Sequence, residues 1–136
     1  MLTNEDFERL SKYVDVSRTP VLIVDRLEWR EPRRWDADRD EFMAALERWK
    51  ADWESRDAER YFSHYATNFS VERGGIEAWK AQKRRVNAGK EWIKVGMEYM
   101  SLFAYPGVQD LMVVSYTQDY RSNNLSNRTQ KRLYWV

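Results

Sequence analysis

The sequence predicts an α+β fold in which helices pack on one face of a curved antiparallel sheet. Apolar residues recur at helical spacing through the first two thirds of the chain, whereas the last third alternates apolar and polar residues, as strands do. The 136 residues are 43% hydrophobic, 15% aromatic and 33% charged. This balance is typical of one globular domain with a ring-rich interior.

The N-terminal segment predicts a helix followed by a strand. Thr3 is placed to cap a helix through Asp6, and residues 17–20 then interrupt the helical pattern. Residues 21–24 form a continuous apolar run, which predicts a short buried strand. Residues 31–37 are charged and contain a proline, which indicates a linker. The predicted organisation is therefore a helix–strand appendage over 1–30, a linker over 31–37 and a domain over 38–136.

Three helices are predicted next. Asp38 and Glu41 have the spacing of a capping box, and the helix that follows runs to Ser55. Its apolar stripe consists of Phe42, Ala45, Leu46, Trp49 and Trp53. Asp57 can cap a short second helix, and a third is predicted between residues 76 and 89. Between the second and third helices, residues 68–71 predict a short strand.

The remaining sequence predicts strands. Apolar and polar residues alternate from residue 93, and the phase changes near residues 100–102, where we expect a bulge. A turn at 105–107 precedes a long strand over 111–120. A polar loop over 122–127 precedes a last strand over 129–136.

The composition excludes several classes of function. The 23 basic and 22 acidic residues give a net charge of +1, so we expect neither a nucleic acid nor an anionic membrane as partner. No window approaches the length of a membrane span, and the N-terminus has no signal-peptide core. The chain contains no cysteine and a single histidine. We therefore expect no catalytic constellation, no metal site and no cofactor.

Five segments carry a resemblance to the nuclear transport factor 2-like (NTF2-like, or SnoaL-like) superfamily over residues 40–136. They are LERWKADWESRD, AERYFSHYATNFS, GGIEAWKAQKRRV, DLMVVSYTQDYRS and KRLYW. The resemblance implies a cone whose curved antiparallel sheet packs on three helices around a pocket. It implies little about activity, because the superfamily includes isomerases, hydratases, dehydratases and non-catalytic modules.

The first 25 residues, with Asn4-Glu5-Asp6 and the run TPVLIVD, resemble the end of a YkuD-type L,D-transpeptidase catalytic domain. Some proteins of that family carry an NTF2-like domain directly behind the catalytic one. The resemblance implies that residues 1–30 are the remnant of such a domain and that the parent protein modifies peptidoglycan in the periplasm or cell envelope. The parent's catalytic cysteine is absent from this chain.

The same superfamily usually closes its sheet with one strand beyond the position of Val136. We therefore expect an open sheet edge. A homodimer through the sheet, or the apolar run at residues 21–24, would cover that edge.

Six residues are candidates for lining a ligand pocket: Tyr65, Trp79, Tyr99, Tyr116, Gln118 and Tyr120. Tyrosine hydroxyls and one amide on an apolar wall suit an uncharged polar ligand such as a sugar or a peptide stem, which includes a peptidoglycan fragment or another polar small molecule. The competing interpretation, which we favour, is that these rings fill the interior and hydrogen-bond to one another. His64 is predicted to face water, and Asp57 to act only as a cap.

The sequence favours a non-catalytic accessory domain that binds substrate or holds subunits together. The alternative is a small SnoaL-like enzyme of the isomerase or hydratase type, acting on a polar small molecule through tyrosine hydroxyls and His64. A pocket with His64 beside Tyr65 or Gln118 would favour the enzyme, and a ring-filled interior would favour the accessory domain. A third possibility is a clipped gene product whose only property is dimerisation.

Overall fold

The computed structural model describes residues 2–69, 71 and 74–136. Its elements are α1 (Asn4–Ser11), α2 (Pro32–Ser55), α3 (Ala58–Ser63), α4 (Ile76–Ala88), β1 (Ile93–Ala104), β2 (Met112–Ser122) and β3 (Leu125–Trp135). The strands form one antiparallel sheet in the order β1-β2-β3. The predicted α+β class is confirmed.

The chain divides into two compact units. Unit 1 comprises Met1–Trp29, Met97–Thr117 and Gln130–Val136, and unit 2 comprises Arg30–Gly96 and Gln118–Thr129. Each strand of the sheet therefore contributes residues to both units. The division into domains at residues 31–37 stays a prediction.

Helix α2, the longest element of unit 2, begins earlier than predicted. Residues 32–37, for which the sequence indicates a linker, are helical. Pro32 occupies the first turn, where its missing N–H would lack a helical partner in any case, so proline starts this helix and does not break it. The helix ends at Arg56, whose φ of 65° is left-handed. The predicted apolar stripe is confirmed for Phe42, Leu46, Trp49 and Trp53, which are buried, whereas Ala45 is half-buried.

The two shorter helices of unit 2 also follow the prediction. Asp57 caps α3 through its Oδ1, which accepts from the backbone N–H groups of Glu59 and Arg60 at 3.1 Å each. Helix α4 begins after Gly75, and Gly89 caps its C-terminal end. The strand predicted at 68–71 is wrong for Asn68, Phe69 and Val71, which lie in a turn or irregular backbone. Ser70 of that segment lies outside the described residues.

Unit 1 begins with α1, which Thr3 caps as predicted: its Oγ1 accepts from the N–H of Asp6 at 3.2 Å. The buried strand predicted at residues 21–24 is wrong. These residues have no regular secondary structure, and Ile23 is 95% exposed. An apolar run predicts burial, but a strand also needs a neighbouring strand for its backbone hydrogen bonds.

The part of β1 that lies in unit 1 contains an irregularity close to the predicted bulge. Tyr99 has a φ of 53° within β1, directly before the expected phase change at residues 100–102. A turn at Pro106 and Gly107 follows β1, as predicted. The loop before β3 is shorter than predicted, because the turn needs only Asn123 and Asn124 and β3 begins at Leu125.

Candidate functional site

The interior of unit 2 is built from aromatic rings, which we name the ring cluster. Its members are Trp49, Trp53, Tyr61, Phe62, Tyr65, Phe69 and Trp79. Helical i, i+4 spacing brings Trp49 and Trp53 to 5.3 Å between ring centroids, and Tyr61 and Tyr65 also to 5.3 Å. Helix α4 contributes Trp79, whose ring centroid lies 4.4 Å from that of Tyr65.

The polar side-chain atoms of the ring cluster form hydrogen bonds with one another. The Tyr65 hydroxyl lies 2.7 Å from the Tyr61 hydroxyl and accepts from Trp49 Nε1 at 3.3 Å. Burial raises the pKa of the Tyr65 phenol, although these two hydrogen bonds act in the opposite direction. Tyr65 is therefore neutral at ordinary pH, and its hydroxyl serves as a structural hydrogen-bonding group.

His64 does not face water, which corrects the prediction from sequence. Its side chain is 15% exposed, and its Nε2 lies 2.7 Å from Oδ2 of Asp52, which is 26% exposed. Helix α3 follows α2 after only Arg56 and Asp57, so the residue that ends α3 can reach the last turn of α2. Asp52 is not among the candidates predicted from sequence. The one sequence feature that could have indicated a role for it is its position next to Trp53, at the edge of the apolar stripe of α2. A carboxylate that holds an imidazole in this way can orient it for proton transfer.

Two further predicted pocket residues are buried in unit 2. Gln118 and Tyr120 are both buried on β2, and the Tyr120 ring lies 5.5 Å from that of Trp53. The Nζ of buried Lys90 lies 5.8 Å from the centre of the Tyr120 ring. It also donates to Ser122 Oγ at 3.0 Å and to Asn124 Oδ1. These contacts hold the chain after α4 against the turn between β2 and β3.

The other two predicted pocket residues, Tyr99 and Tyr116, belong to unit 1 and border an open groove of about 670 Å³. We name it the unit 1 groove. Its lining residues are Val16, Ser17, Arg18, Thr19, Pro20, Val21, Tyr99, Ser115, Tyr116, Thr117, Gln130, Lys131, Arg132 and Tyr134. Tyr99 is half-exposed, whereas Tyr116 is buried. That all six predicted residues line one pocket stays a prediction.

Three contacts organise the unit 1 groove. The guanidinium carbon of Arg18 lies 3.6 Å from the centre of the Tyr99 ring. Arg132 donates through Nε to Ser115 Oγ at 3.1 Å, and Gln130 Nε2 donates to the carbonyl of Ser17 at 3.4 Å. The contacts of Arg18 with Tyr99 and of Gln130 with Ser17 hold residues 17 and 18 against the strands. This part of the groove wall therefore has a fixed position.

A second groove of about 710 Å³ lies in unit 2 and is lined by Lys50, Glu54, Trp92, Lys94, Val95, Gly96, Asp119 and Arg121. Both of its carboxylates are engaged in structural bonds. Glu54 Oε1 accepts from the Val95 N–H at 2.7 Å, and Asp119 accepts two bonds from Arg121 at 2.7 and 3.2 Å. The bonded carboxylates are therefore fixed parts of the wall.

Within the described ranges, no group of three histidine, aspartate or glutamate side chains is placed to hold a metal ion. The helices of the same residues include none that is long and apolar enough to cross a membrane.

Comparison with known proteins gives a family and a set of similar folds. A model of the family described as the Cds6 C-terminal NTF2-like domain matches residues 41–136. No curated protein sequence matches the chain.

Similar solved structures include Bd1075 of Bdellovibrio bacteriovorus, with 24% identity and a TM-score of 0.77 over 98% of this chain and 48% of that one. They also include Pgp2 of Campylobacter jejuni, described as a helical cell shape determining protein. The values for Pgp2 are 23% identity and a TM-score of 0.71 over 98% of this chain and 47% of that one. The chain thus spans about half the length of these proteins.

A third similar structure, from Streptomyces avermitilis, is described as a proposed dehydratase from the NTF2-like family. It is 14% identical, with a TM-score of 0.52 over 73% of this chain and 82% of that one. At these identities the three structures establish similarity of fold alone.

Proposed function

The chain belongs to the family of Cds6 C-terminal NTF2-like domains, and from that premise we propose that it is a non-catalytic accessory domain of a cell-wall L,D-transpeptidase-like protein. Its role in this proposal is to bind peptidoglycan while a separate catalytic domain modifies it. The parent protein is an L,D-transpeptidase or L,D-carboxypeptidase in the periplasm or cell envelope.

Two observations support the parentage. Asn4-Glu5-Asp6 and the run at residues 19–25 resemble the end of a YkuD-type catalytic domain. Two of the similar structures are about twice as long as this chain, and one of them is described as determining helical cell shape. Because a bacterium holds its shape through its peptidoglycan, a wall-binding role suits a domain of this fold.

The observation that carries the non-catalytic role is the ring cluster in unit 2. Neighbouring ring centroids in it lie 4.4–6.2 Å apart, which is contact distance for aromatic side chains. The hydroxyl of Tyr65, a candidate for catalysis in the alternative function, is engaged by Tyr61 and Trp49. A ring-filled interior is the arrangement expected of an accessory domain.

The second candidate function is a small enzyme of the isomerase or hydratase type that acts on a polar small molecule. The pair of His64 and Asp52, at 2.7 Å, favours it, because an oriented imidazole is a common proton-transfer group. It ranks second because the Tyr65 hydroxyl, which this enzyme would use, is engaged by Tyr61 and Trp49 inside the ring cluster.

We also propose that the chain forms a homodimer through its sheet. Strand β3 lies at one edge of the three-stranded sheet, and Leu125 and Tyr134 on this strand are exposed. An edge strand presents unpaired backbone groups that a second copy can satisfy. Analytical ultracentrifugation tests this directly: a monomer at all concentrations would contradict it.

The proposed function is tested by co-sedimentation of the purified chain with peptidoglycan sacculi, followed by mass spectrometry of the supernatant. We expect the chain to sediment with the sacculi and to release no muropeptide or amino acid. A His64→Ala variant is the matched control and should sediment as well as the wild type. Failure to sediment would overturn the binding role, and release of products that His64→Ala abolishes would overturn the non-catalytic role.

A further inference from the structure

The groove of about 710 Å³ in unit 2, which we name the unit 2 groove, has an exposed indole among its lining residues. This indole belongs to Trp92, which lies directly before β1 and is 45% exposed. The tryptophans of the ring cluster, by contrast, are buried. An indole that faces water in a groove presents a flat apolar surface against which a ligand can stack.

The charged lining of the unit 2 groove is nearly balanced. It consists of three basic and two acidic residues: Lys50, Lys94, Arg121, Glu54 and Asp119. Arg121 and Asp119 neutralise each other through two hydrogen bonds, of 2.7 and 3.2 Å. A groove of this composition attracts no simple ion strongly. It offers both donors and acceptors, and these match hydroxyl groups, which can donate and accept.

The two carboxylates of the groove are held in place before any ligand arrives. Glu54 Oε1 accepts from the Val95 N–H at 2.7 Å, which ties the last turn of α2 to β1. Asp119 is mostly buried, and each of its oxygens accepts one bond from Arg121. Because a carboxylate oxygen has two lone-pair sites, each of these groups can accept a further bond from a ligand. Side chains that are already fixed lose little conformational freedom on binding.

The strands contribute the rest of the groove. Lys94 is exposed on β1, and Gly96, two positions further, lies on the same face of that strand. A Cβ at position 96 would lie 3.3 Å from the Asp119 Cβ, so glycine is what allows β1 and this side chain to approach so closely. Gly96 therefore lines the groove with backbone alone. A volume of about 710 Å³ lies in the range of sites for small organic ligands.

A saccharide combines the two properties that this lining selects. A pyranose ring with equatorial substituents presents C–H groups on its faces, and these pack against an indole. The hydroxyl groups at the edge of the same ring bond to carboxylates and ammonium groups. An inorganic ion has no apolar face to place on Trp92, and an apolar ligand leaves Lys94 and Asp119 without partners.

We propose that the unit 2 groove binds a neutral oligosaccharide, one ring of which stacks on Trp92. Asp119 and Glu54 accept hydrogen bonds from its hydroxyl groups, and the Lys94 ammonium donates to another. This assignment goes beyond the proposed function, because neither the parentage of the chain nor its accessory role requires a saccharide site in unit 2.

Isothermal titration calorimetry of the purified chain tests the stacking. The probe is chitotriose, an uncharged trimer of N-acetylglucosamine whose ring substituents are equatorial. We expect saturable binding, which Trp92→Ala weakens about tenfold through the loss of the stacked indole. Trp29→Ala is the matched control, since it removes an exposed indole that lies in unit 1, and should change the affinity less than about twofold.

Tryptophan fluorescence places the ligand on the indole itself. Chitotriose should shift the emission of the wild type to shorter wavelength, because the sugar displaces water from Trp92. The shift should persist in Trp29→Ala and disappear in Trp92→Ala. Circular dichroism of both variants confirms that they are folded, as expected for substitutions of exposed side chains.

Two further measurements test the polar half of the groove. Lys94→Ala should weaken chitotriose binding about threefold through one lost hydrogen bond, whereas Lys12→Ala, which removes an exposed lysine of unit 1, should leave the affinity unchanged. Inorganic phosphate at the same concentration should not displace chitotriose. Absence of saturable binding at millimolar chitotriose, displacement by phosphate, or equal affinity of the wild type and Trp92→Ala would overturn the assignment.

Failure of this assignment is separable from failure of the proposed function. If the chain sediments with sacculi but does not bind chitotriose, the saccharide site is wrong and the accessory role stands. If the chain binds chitotriose through Trp92 but does not sediment, the saccharide site stands and the wall-binding role is wrong.

Discussion

Nε2 of His64 lies 2.7 Å from Oδ2 of Asp52, and this contact joins the residue that ends α3 to the last turn of α2. Both side chains are mostly buried, so water competes weakly for their hydrogen-bonding atoms. The connection between the two helices is only two residues long, which places the pair where it can fix the angle between them.

The first prediction concerns this pair. Asp52→Ala and His64→Ala should each lower the free energy of unfolding by about 1–2 kcal/mol, because each leaves a partly buried group without its partner. The double variant should lose less than the sum of the single losses, by about 0.5–1 kcal/mol. Urea denaturation of the four proteins measures this coupling. Losses that simply add would mean that the contact contributes no stability of its own.

The second prediction concerns the Tyr65 hydroxyl. Tyr65→Phe should lower the free energy of unfolding by about 1–2 kcal/mol, because it removes the partner of both Trp49 Nε1 and the Tyr61 hydroxyl inside the ring cluster. Denaturation with urea at neutral pH measures the loss. A stability equal to that of the wild type would contradict the bonded arrangement of these polar side-chain atoms.

The third prediction follows from the raised pKa of Tyr65. Because the folded pKa lies above the ordinary value of 10.0, folding favours the neutral phenol. The stabilising contribution is therefore complete below about pH 10 and is lost as the pH rises towards the folded pKa. Between about pH 9 and pH 11, the stability of the wild type should fall more steeply than that of Tyr65→Phe. Parallel curves would contradict the burial of this phenol.

The fourth prediction tests the packing of α2. Leu46 is fully buried, so Leu46→Ala should cost about 2–5 kcal/mol through lost apolar burial and the cavity that remains. Glu47→Ala, one residue further along the same helix and exposed, is the matched control and should change stability by less than about 0.5 kcal/mol. Guanidinium denaturation measures both. A small loss for Leu46→Ala would place Leu46 away from the core.

The fifth prediction separates two opposing effects at Arg56. Its φ of 65° is strained for a side chain with a Cβ, yet its Nη1 donates to the carbonyl of Lys90 at 2.7 Å. Arg56→Ala loses the hydrogen bond and keeps the strain, whereas Arg56→Gly loses the bond and relieves the strain. Arg56→Gly should therefore be more stable than Arg56→Ala by about 1 kcal/mol in thermal unfolding. The reverse order would argue against a left-handed cap.

The elements with long amphipathic patterns were predictable from sequence. The apolar stripe of α2, the Asp57 cap and the alternation along β2 follow from local rules that need no knowledge of the rest of the chain. The start of α2 was missed because a proline in a charged segment indicates a break, although the first turn of a helix accepts proline.

Features that depend on distant partners were not predictable. The run at residues 21–24 has the composition of a buried strand, but residues 21–23 are exposed, because composition does not specify a neighbouring strand. His64 and Asp52 are twelve positions apart and meet only through the short α2–α3 connection. The unit to which each candidate pocket residue belongs also depends on distant contacts: Tyr99 and Tyr116 belong to unit 1 and the other four to unit 2. The pattern of apolar and polar residues along the sequence does not show to which unit a residue belongs.

The uneven distribution of indoles makes the loss of blue-shifted tryptophan emission a reporter of the unfolding of unit 2. Trp49, Trp53 and Trp79 are buried in the ring cluster of unit 2, whereas Trp29 in unit 1 is 91% exposed. Blue-shifted emission therefore comes mainly from unit 2, whereas Trp29 is exposed before unfolding and its emission changes little. If circular dichroism and the loss of blue emission share one midpoint, the units unfold together; separate midpoints mean that they unfold independently.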